Sequence, residues 1–368
     1  MAQSRSHWKK PKAPHSEVKS QIVVNYFKLW STAVRKSGTS LVYLDLYAGK
    51  GQYSSGEKST AVQVLQSSCS DNYLKAKLIT ILNDIKPLHC KDMRRVITEL
   101  RIDKAFENRP RVFNLEANEL YQNVLNEIET LPKFCFIDPY GYKGLTLSLV
   151  ESVIKDWGCD CIVFLYTCGI NRNIRSEKNA HHLKLLFGDR GYANLRKALY
   201  SGQTRSEREI LNSFLNCAKE VGAKYVLPLQ FNMPNKNQIS HHLVFLSKHH
   251  RGFHFIKEVM SAVSIKEDGI PKYVYVEGAD RSVEQMGLPQ IGLLSKLKGR
   301  IVSRFRGKTL KVKNLIESCH IEGWEYTEKN IRDTLKKLEG AAFSVKPPNG
   351  KKRRKGTLGG ENTLVFFD

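Results

Sequence analysis

Leu44-Asp45-Leu46-Tyr47-Ala48-Gly49-Lys50-Gly51 closes a short apolar run over residues 41–47. Two glycines one residue apart, directly after such a run, describe a strand that turns sharply into a helix. Without Cβ atoms the backbone can fold back tightly and approach a bound cofactor closely. Asp45 falls at the carboxyl end of the strand, where a carboxylate can reach a charged amino group directly or through water. Working outward, apolar runs recur at residues 76–82, 112–113, 134–137 and 161–166. Helix-like stretches separate them, among them one with Leu120, Val124, Leu125 and Ile128 at helical spacing. Runs that are apolar throughout, rather than alternating, predict a parallel sheet covered on both faces. The last two runs, 225–231 and 242–247, are separated by only about ten residues, too few for a helical crossover, and are expected to pair antiparallel.

The second run ends on Asn83-Asp84, and a carboxylate there can accept both hydroxyls of a ribose. Asp45, Tyr47, Gly49, Gly51 and Asp84 together therefore read as a site for S-adenosylmethionine. A dinucleotide fits less well, because the third glycine of G-x-G-x-x-G is replaced by Ser54. Five parallel strands finished by an antiparallel hairpin form an α/β, Rossmann-like sheet of the class I methyltransferase type. In that fold the loop after the third strand passes the adenine ring, which makes Glu116 or Asn114 a candidate contact. The plain alternatives are an ordinary tight turn at residues 45–51 and a solvated loop at 114–118.

Phe136-Ile137-Asp138-Pro139-Tyr140-Gly141-Tyr142 closes the fourth run, beside the expected methyl donor. Asp138, Pro139 and Tyr140 are the catalytic candidates: an Asp-Pro turn can aim a carboxylate and carbonyls at an acceptor while a tyrosine stacks on a base. Amino-directed methyltransferases carry Asp-Pro-Pro-Tyr here, and Asp-Pro-Tyr-Gly departs from it. A capped strand-ending turn is the alternative. Arg172 and Arg175, expected in a loop after the fifth strand, could hold substrate phosphates or simply be solvated.

The chain has 368 residues, 41% of them hydrophobic, with 59 Lys plus Arg against 36 Asp plus Glu, a net charge of +23. Such an excess calls for a polyanionic partner. No apolar run approaches the roughly 18 residues of a membrane span, and the start shows no apolar signal core. DNA or RNA is thus expected in preference to a membrane, and a cytoplasmic location is expected. The eight cysteines show no paired CxxC spacing and read as reduced core residues. The His pairs at 181–182, 241–242 and 249–250 read as surface or core residues, so no metal is expected.

Residues 1–16 are basic, contain Pro11 and Pro14 and lack an apolar period, so they read as a flexible arm. A helix is predicted over 17–36, and the sheet domain over 17–285. One further helix is predicted between the charged stretch 171–208 and residue 225. Residues 291–368 look independent. Ile291, Leu294, Leu297 and Ile301 mark a first helix, Thr309 is expected to cap a second, and Thr327 with Asn330 a third. Two strands follow, at 342–345 and 364–367. This order predicts a winged helix-turn-helix, whose 18 Lys plus Arg and 8 Asp plus Glu leave it at +10. Lys329, Arg332, Lys336 and Lys337 on the third helix would enter a major groove. Lys351, Lys352, Arg353, Arg354 and Lys355 at the hairpin tip would lie on phosphates or in a minor groove. The alternative is a winged helix used for protein contact.

In this order the segments resemble the three-Cys-motif partner family (TcmP). The matching stretches are His15-Ser16-Glu17-Val18-Lys19, Tyr26-Phe27-Lys28-Leu29-Trp30, the 44–51 loop, Phe136-Ile137-Asp138-Pro139-Tyr140-Gly141, Asn171-Arg172, Leu186-Phe187-Gly188 and His241-His242-Leu243-Val244-Phe245. Lys50 stands where the family often has proline. The resemblance implies a bacterial, methyltransferase-related domain and a partner protein bearing the three-cysteine motif, often encoded nearby. Methyl transfer to nucleic acid is the leading expectation. The rivals are a non-catalytic nucleic-acid-binding or regulatory protein, and a nuclease or other defence effector acting with the partner.

Overall fold

A computed structural model describes Trp8 and residues 10–200, 206–233, 238–267, 269–279, 293–346, 358 and 363–367. The chain groups into two compact units, residues 1–255 and 256–368. The expected boundary at 285–291 lies outside the described residues.

The first unit opens with α1 (Pro14–Val34). It starts three residues before the periodicity placed it, because Pro14 sits in the first turn, where a missing N–H costs nothing. There follow β1 (Leu41–Asp45), α2 (Thr60–Ser68), α3 (Asn72–Lys77), β2 (Leu78–Asn83), α4 (Pro87–Glu99), β3 (Arg111–Phe113), α5 (Ala117–Ile128), β4 (Lys133–Ile137), α6 (Leu147–Val153) and β5 (Asp160–Leu165). The second strand starts later than expected because Ala76 and Lys77 finish α3, which Asp71 caps through the amides of Tyr73 and Leu74. Beyond β5 the chain is more helical than its charge suggested. It forms α7 (Thr167–Asn173), α8 (Ala180–Tyr200), broken at Gly188, and α9 (Ser206–Glu220), and then β6 (Tyr225–Asn232) and β7 (Ile239–Ser247). Helix α10 (His250–Val263) runs on into the residues of the second unit.

Within the first unit the strands lie in the order β3-β2-β1-β4-β5-β7-β6. The first five are parallel, and β7 runs antiparallel to both β5 and β6. The expected mixed α/β sheet, five parallel strands plus an antiparallel pair, is what forms. The hairpin's second strand, not its first, lies against β5. Burial explains the sequence pattern: β1 and β4 are buried at every position, whereas β6 alternates buried with half-buried residues.

Tyr43 and Phe134 pair in register and face an aromatic layer made by Tyr26, Phe27 and Trp30 of α1. Val42, Leu44 and Cys135 belong to a core shared with α5, α6, α8 and α9. Inside the aromatic layer the Tyr26 hydroxyl donates to Asp160, and Trp30 Nε1 donates to the Gly158 carbonyl at 3.1 Å. Burial raises the Asp160 carboxyl to about 6.

The second unit contains a two-stranded ribbon, β8 (Lys266–Glu267) with β9 (Ile270–Pro271), and a short β10 (Val274–Tyr275). It continues with α11 (Leu293–Phe305), β11 (Thr309–Lys311), α12 (Val312–Ile321), α13 (Glu328–Leu338), β12 (Phe343–Lys346) and β13 (Leu364–Phe367). The last three strands form an antiparallel sheet ordered β11-β13-β12. Thr309 does not cap a helix: it pairs with Phe366 in the sheet, and α12 begins at Val312 with no side-chain cap. Thr327 and Asn330 do cap α13, as a reciprocal capping box. Leu297, Ile301, Leu315, Ile331, Leu335, Phe343 and Val365 share one core, and the buried Lys257 donates to the carbonyls of Trp324 and Tyr326 at 2.8 and 2.7 Å.

Tyr26→Phe removes one of the donors to a buried carboxyl, Ser247 being the other, and should cost about 1–3 kcal/mol. Asp160 titrates above its unfolded value near 4, so its ionisation opposes folding as pH rises from 4 through 6. The loss, measured by urea unfolding, should therefore be larger at pH 8 than at pH 4. Equal losses at both would sink the assignment.

Candidate functional site

Parallel strands end on one edge of a sheet, so the residues that follow adjacent strands converge. Asp45 ends β1, Asp84 follows β2 on one side, and Asp138 follows β4 on the other. Asp45 is 2% exposed. Its Oδ1 accepts from the Tyr47 amide at 3.2 Å, and its Oδ2 lies 3.4 Å from the Tyr43 hydroxyl. Burial, reinforced by the charges of Asp138 and Asp84, pushes its carboxyl up to about 8 against two opposing hydrogen bonds. Such an environment gains from a bound cation.

The glycines of the loop do different things. Both have positive φ, +68° at Gly49 and +86° at Gly51. A Cβ on Gly51 would meet Met93 Sδ at 3.1 Å and Val96 at 3.3 Å, so that glycine lets α4 pack on the loop. A Cβ on Gly49 would lie 2.0 Å from the indole of Trp8. Trp8, from the segment expected to be flexible, is 9% exposed and packs on Tyr53 at 4.5 Å, with the edge of His89 at 6.1 Å. Its carbonyl accepts from the Ser54 amide. Lys12 of the same segment is anchored on Glu17, Ser20 and the Lys58 carbonyl. Anything seated on the open face of Gly49 must displace the indole.

Asp84 holds its own turn through the Lys86 amide at 2.8 Å and lies 3.0 Å from His89 Nδ1. Its neighbour Asn83, which the sequence reading passed over, ties the edge together. Its side chain donates to the carbonyls of Leu46 and Leu115 and accepts from the Leu115 amide, while its own carbonyl accepts from Ala48. Glu116 is exposed at the start of α5, and Asn114 donates to the Asp84 carbonyl. The Tyr47 hydroxyl sits over Gly144, buried and, among the described residues, without a hydrogen-bond partner.

Asp138 is not a bare carboxylate. Lys19 of α1, 8% exposed, places Nζ 2.7 Å from Asp138 Oδ2 and 4.3 Å from the centre of the Phe164 ring. Phe164 in turn packs on His241, whose ring lies against Phe231 and near His15. His241 is 4% exposed, its Nε2 has no partner among the described residues, and burial together with Lys19 and His15 holds it neutral. Pro139 is buried and Tyr140 is 79% exposed. Tyr140 lines a cavity of about 270 Å³ with Tyr142, Tyr166, Arg172 and Asn173. Arg172 lies in the last turn of α7, not in a loop, and donates to the Tyr166 hydroxyl at 2.6 Å. Arg175 points to Tyr200 instead, 5.5 Å from its ring centre.

In the second unit Lys329, Lys336 and Lys337 of α13 are exposed and Arg332 is half-buried. Arg332 is paired with Glu328 and Lys336 with Asp333. Lys351, Lys352, Arg353, Arg354 and Lys355 lie outside the described residues. Among the described residues no group of His, Cys, Asp and Glu is placed to hold a metal ion, and no helix is long and apolar enough to cross a membrane.

No protein-family model matches the chain, and no curated protein matches it by sequence. Several solved methyltransferase structures are similar to it at low identity. An O-methyltransferase from Bacillus cereus, in complex with SAH, is 12% identical with a TM-score of 0.37; the match covers 64% of this chain and 82% of that one. The methyltransferase domain of the bacterial CtHen1-C is 14% identical at a TM-score of 0.33, over 61% of this chain and 100% of that one. A human methyltransferase 10 domain containing protein is 12% identical at 0.31, over 62% and 83%.

Asp45→Asn should remove a folding cost that grows as pH rises from 4 through 8, because the folded carboxyl titrates above its unfolded value. The variant is expected to be more stable than the native chain by about 1–3 kcal/mol at pH 8, and little changed at pH 4. Chemical denaturation at both pH values checks this; a pH-independent difference would refute the environment described for Asp45.

Proposed function

We propose that the first unit binds S-adenosylmethionine between the 45–51 loop and Asp84, and transfers its methyl group to nucleic acid. The observation that carries this reading is the convergence of Asp45, Asp84 and Asp138 around a glycine loop, with Asp45 buried in a setting that favours a cation. The methyl donor carries two positive centres, a sulfonium and an ammonium. Asp45 would meet the ammonium, Asp84 would meet the ribose once His89 yields, and the unpartnered Tyr47 hydroxyl would gain a polar neighbour. When bound, the cofactor supplies an electrophilic methyl group; Asp138 and Tyr140 orient the acceptor toward it.

The second unit, with a helix, a strand, two helices and two strands in sequence, we read as a winged helix gripping the polymer through α13 and the 351–355 segment. The +10 balance of residues 291–368 supports that role. The order of motifs from His15 to Phe245 supports membership of the three-Cys-motif partner family, with a protein bearing that motif as partner. One observation favours a non-catalytic, nucleic-acid-binding chain instead: the indole of Trp8 lies where the cofactor would touch Gly49.

Titration calorimetry with S-adenosylhomocysteine should detect binding that Asp84→Ala weakens about tenfold or more. Trp8→Ala should tighten it about threefold or more, because the competent fraction rises when the indole no longer competes. Absence of binding in both the native chain and Trp8→Ala would refute the cofactor site and leave the non-catalytic reading. For the second unit, replacing Lys329, Arg332 and Lys336 by Ala in the full chain should weaken DNA and RNA binding across sequences. It should also flatten the salt dependence by about two to three counterions; an unchanged slope would place the polymer elsewhere.

A further inference from the structure

We propose that Lys19 and Asp138 select an oxygen acceptor, the 2′-hydroxyl of a ribonucleotide, in preference to an exocyclic base amine. This rests on the cofactor reading above. It starts from a cation brought to the acceptor edge by a remote element. Lys19 lies 119 residues from Asp138 in sequence, yet its Nζ is 2.7 Å from Oδ2 and seated over the Phe164 ring. Among the described residues the charged and titratable groups around it are Asp138, Lys12 and His241, with Asp45 behind Asp138 and His15 beyond His241; His241 is held neutral. The ammonium therefore offsets the carboxylate that follows β4, so this edge offers a developing cation no net negative charge and offers a developing oxyanion a charged N–H donor.

A compensated carboxylate discriminates between acceptors. An amine attacking a methyl group becomes cationic before it loses a proton, and an adjacent ammonium raises the energy of that state. A hydroxyl develops negative character as its proton leaves, and the same ammonium lowers it. In the balanced step, a lone pair of the hydroxyl oxygen forms the new bond to the methyl carbon, and the pair of the broken carbon–sulfur bond stays on sulfur. The hydroxyl proton passes to the Asp138 carboxylate, which Lys19 holds in place. Among internal positions of a nucleic acid only ribose offers such a hydroxyl. The cavity walled by Tyr140, two residues beyond Asp138 in the chain, and by Tyr166 and Arg172 has aromatic faces and a guanidinium on which a neighbouring base can stack.

The test uses the full chain and matched single-stranded RNA and DNA oligonucleotides. Labelled S-adenosylmethionine should mark RNA only, and digestion should yield a 2′-O-methyl nucleoside, with the adjacent linkage resistant to alkali. In the absence of cofactor the ribo-oligonucleotide should bind more tightly than its deoxy counterpart, and Lys19→Met should erase that preference. Lys19→Met should also lower transfer about 10²-fold or more while leaving S-adenosylhomocysteine affinity within about threefold. Lys19→Arg, which keeps the charge, should recover part of the transfer and the ribose preference. A base-methylated product, equal labelling of DNA, or binding of S-adenosylhomocysteine with no transfer to either polymer would overturn the proposal. If S-adenosylhomocysteine does not bind even Trp8→Ala, the cofactor reading fails, and the oxygen preference with it.

Discussion

Negative charge gathered at one edge of a parallel sheet sets the terms for the rest of this molecule. The strand order places β1 between β2 and β4, so whatever follows these three strands must share one small volume. Here that is Asp45, Asp84 and Asp138. Asp45 ends the innermost of the three and is sealed from water, which makes its ionised form costly. The surrounding structure answers locally: the Tyr47 amide bonds Asp45, the Lys86 amide bonds Asp84, and Lys19 neutralises Asp138.

The delivery of Lys19 follows from how α1 packs. Val23, Tyr26 and Trp30 lie four, seven and eleven residues beyond it, so all four share one helical stripe. Three of them fill the core, two in the aromatic layer over Tyr43 and Phe134, and the first turns of the helix overhang the sheet edge. The stripe that fixes the helix on the sheet also carries an ammonium to the Asp138 carboxylate. Tyr26 and Asp160 pin the same helix further along.

The sheet was legible because its signals are local. Strands buried on both faces read as unbroken apolar runs, and glycine and aspartate mark where they end. Those runs and their spacings carry the five parallel strands and the antiparallel pair, but not the order of the strands across the sheet. What was not legible depends on partners distant in the chain. Lys19 looks like any lysine in an amphipathic helix until Asp138 is brought to it. Trp8 sits among basic residues with no apolar period, and only its fit on Gly49 gives it a place. Asn83 stood beside the acid that drew attention, although its four hydrogen bonds knit three strand ends together. Thr309 has the side chain of a helix cap, but pairing with β13 outweighs that preference. Arg172 follows a strand and reads as loop, yet α7 begins directly after β5 and carries it in its last turn.

The two glycines of the loop would be kept for different reasons if the chain ever lost its chemistry. Gly51 is held by Met93, Val96 and Val62, neighbours that belong to the packing of α2 and α4. A side chain there would disturb the fold whether or not any ligand is used, so drift could not remove it. Gly49 is constrained by its backbone angle and by an aromatic ring that belongs to a movable side chain. Gly51 is a fossil of the architecture and would persist in an inert descendant. Gly49 would be kept there by its positive φ and by the seat of the Trp8 ring, and the cost of burying Asp45 is the feature that relaxed selection would be free to erase.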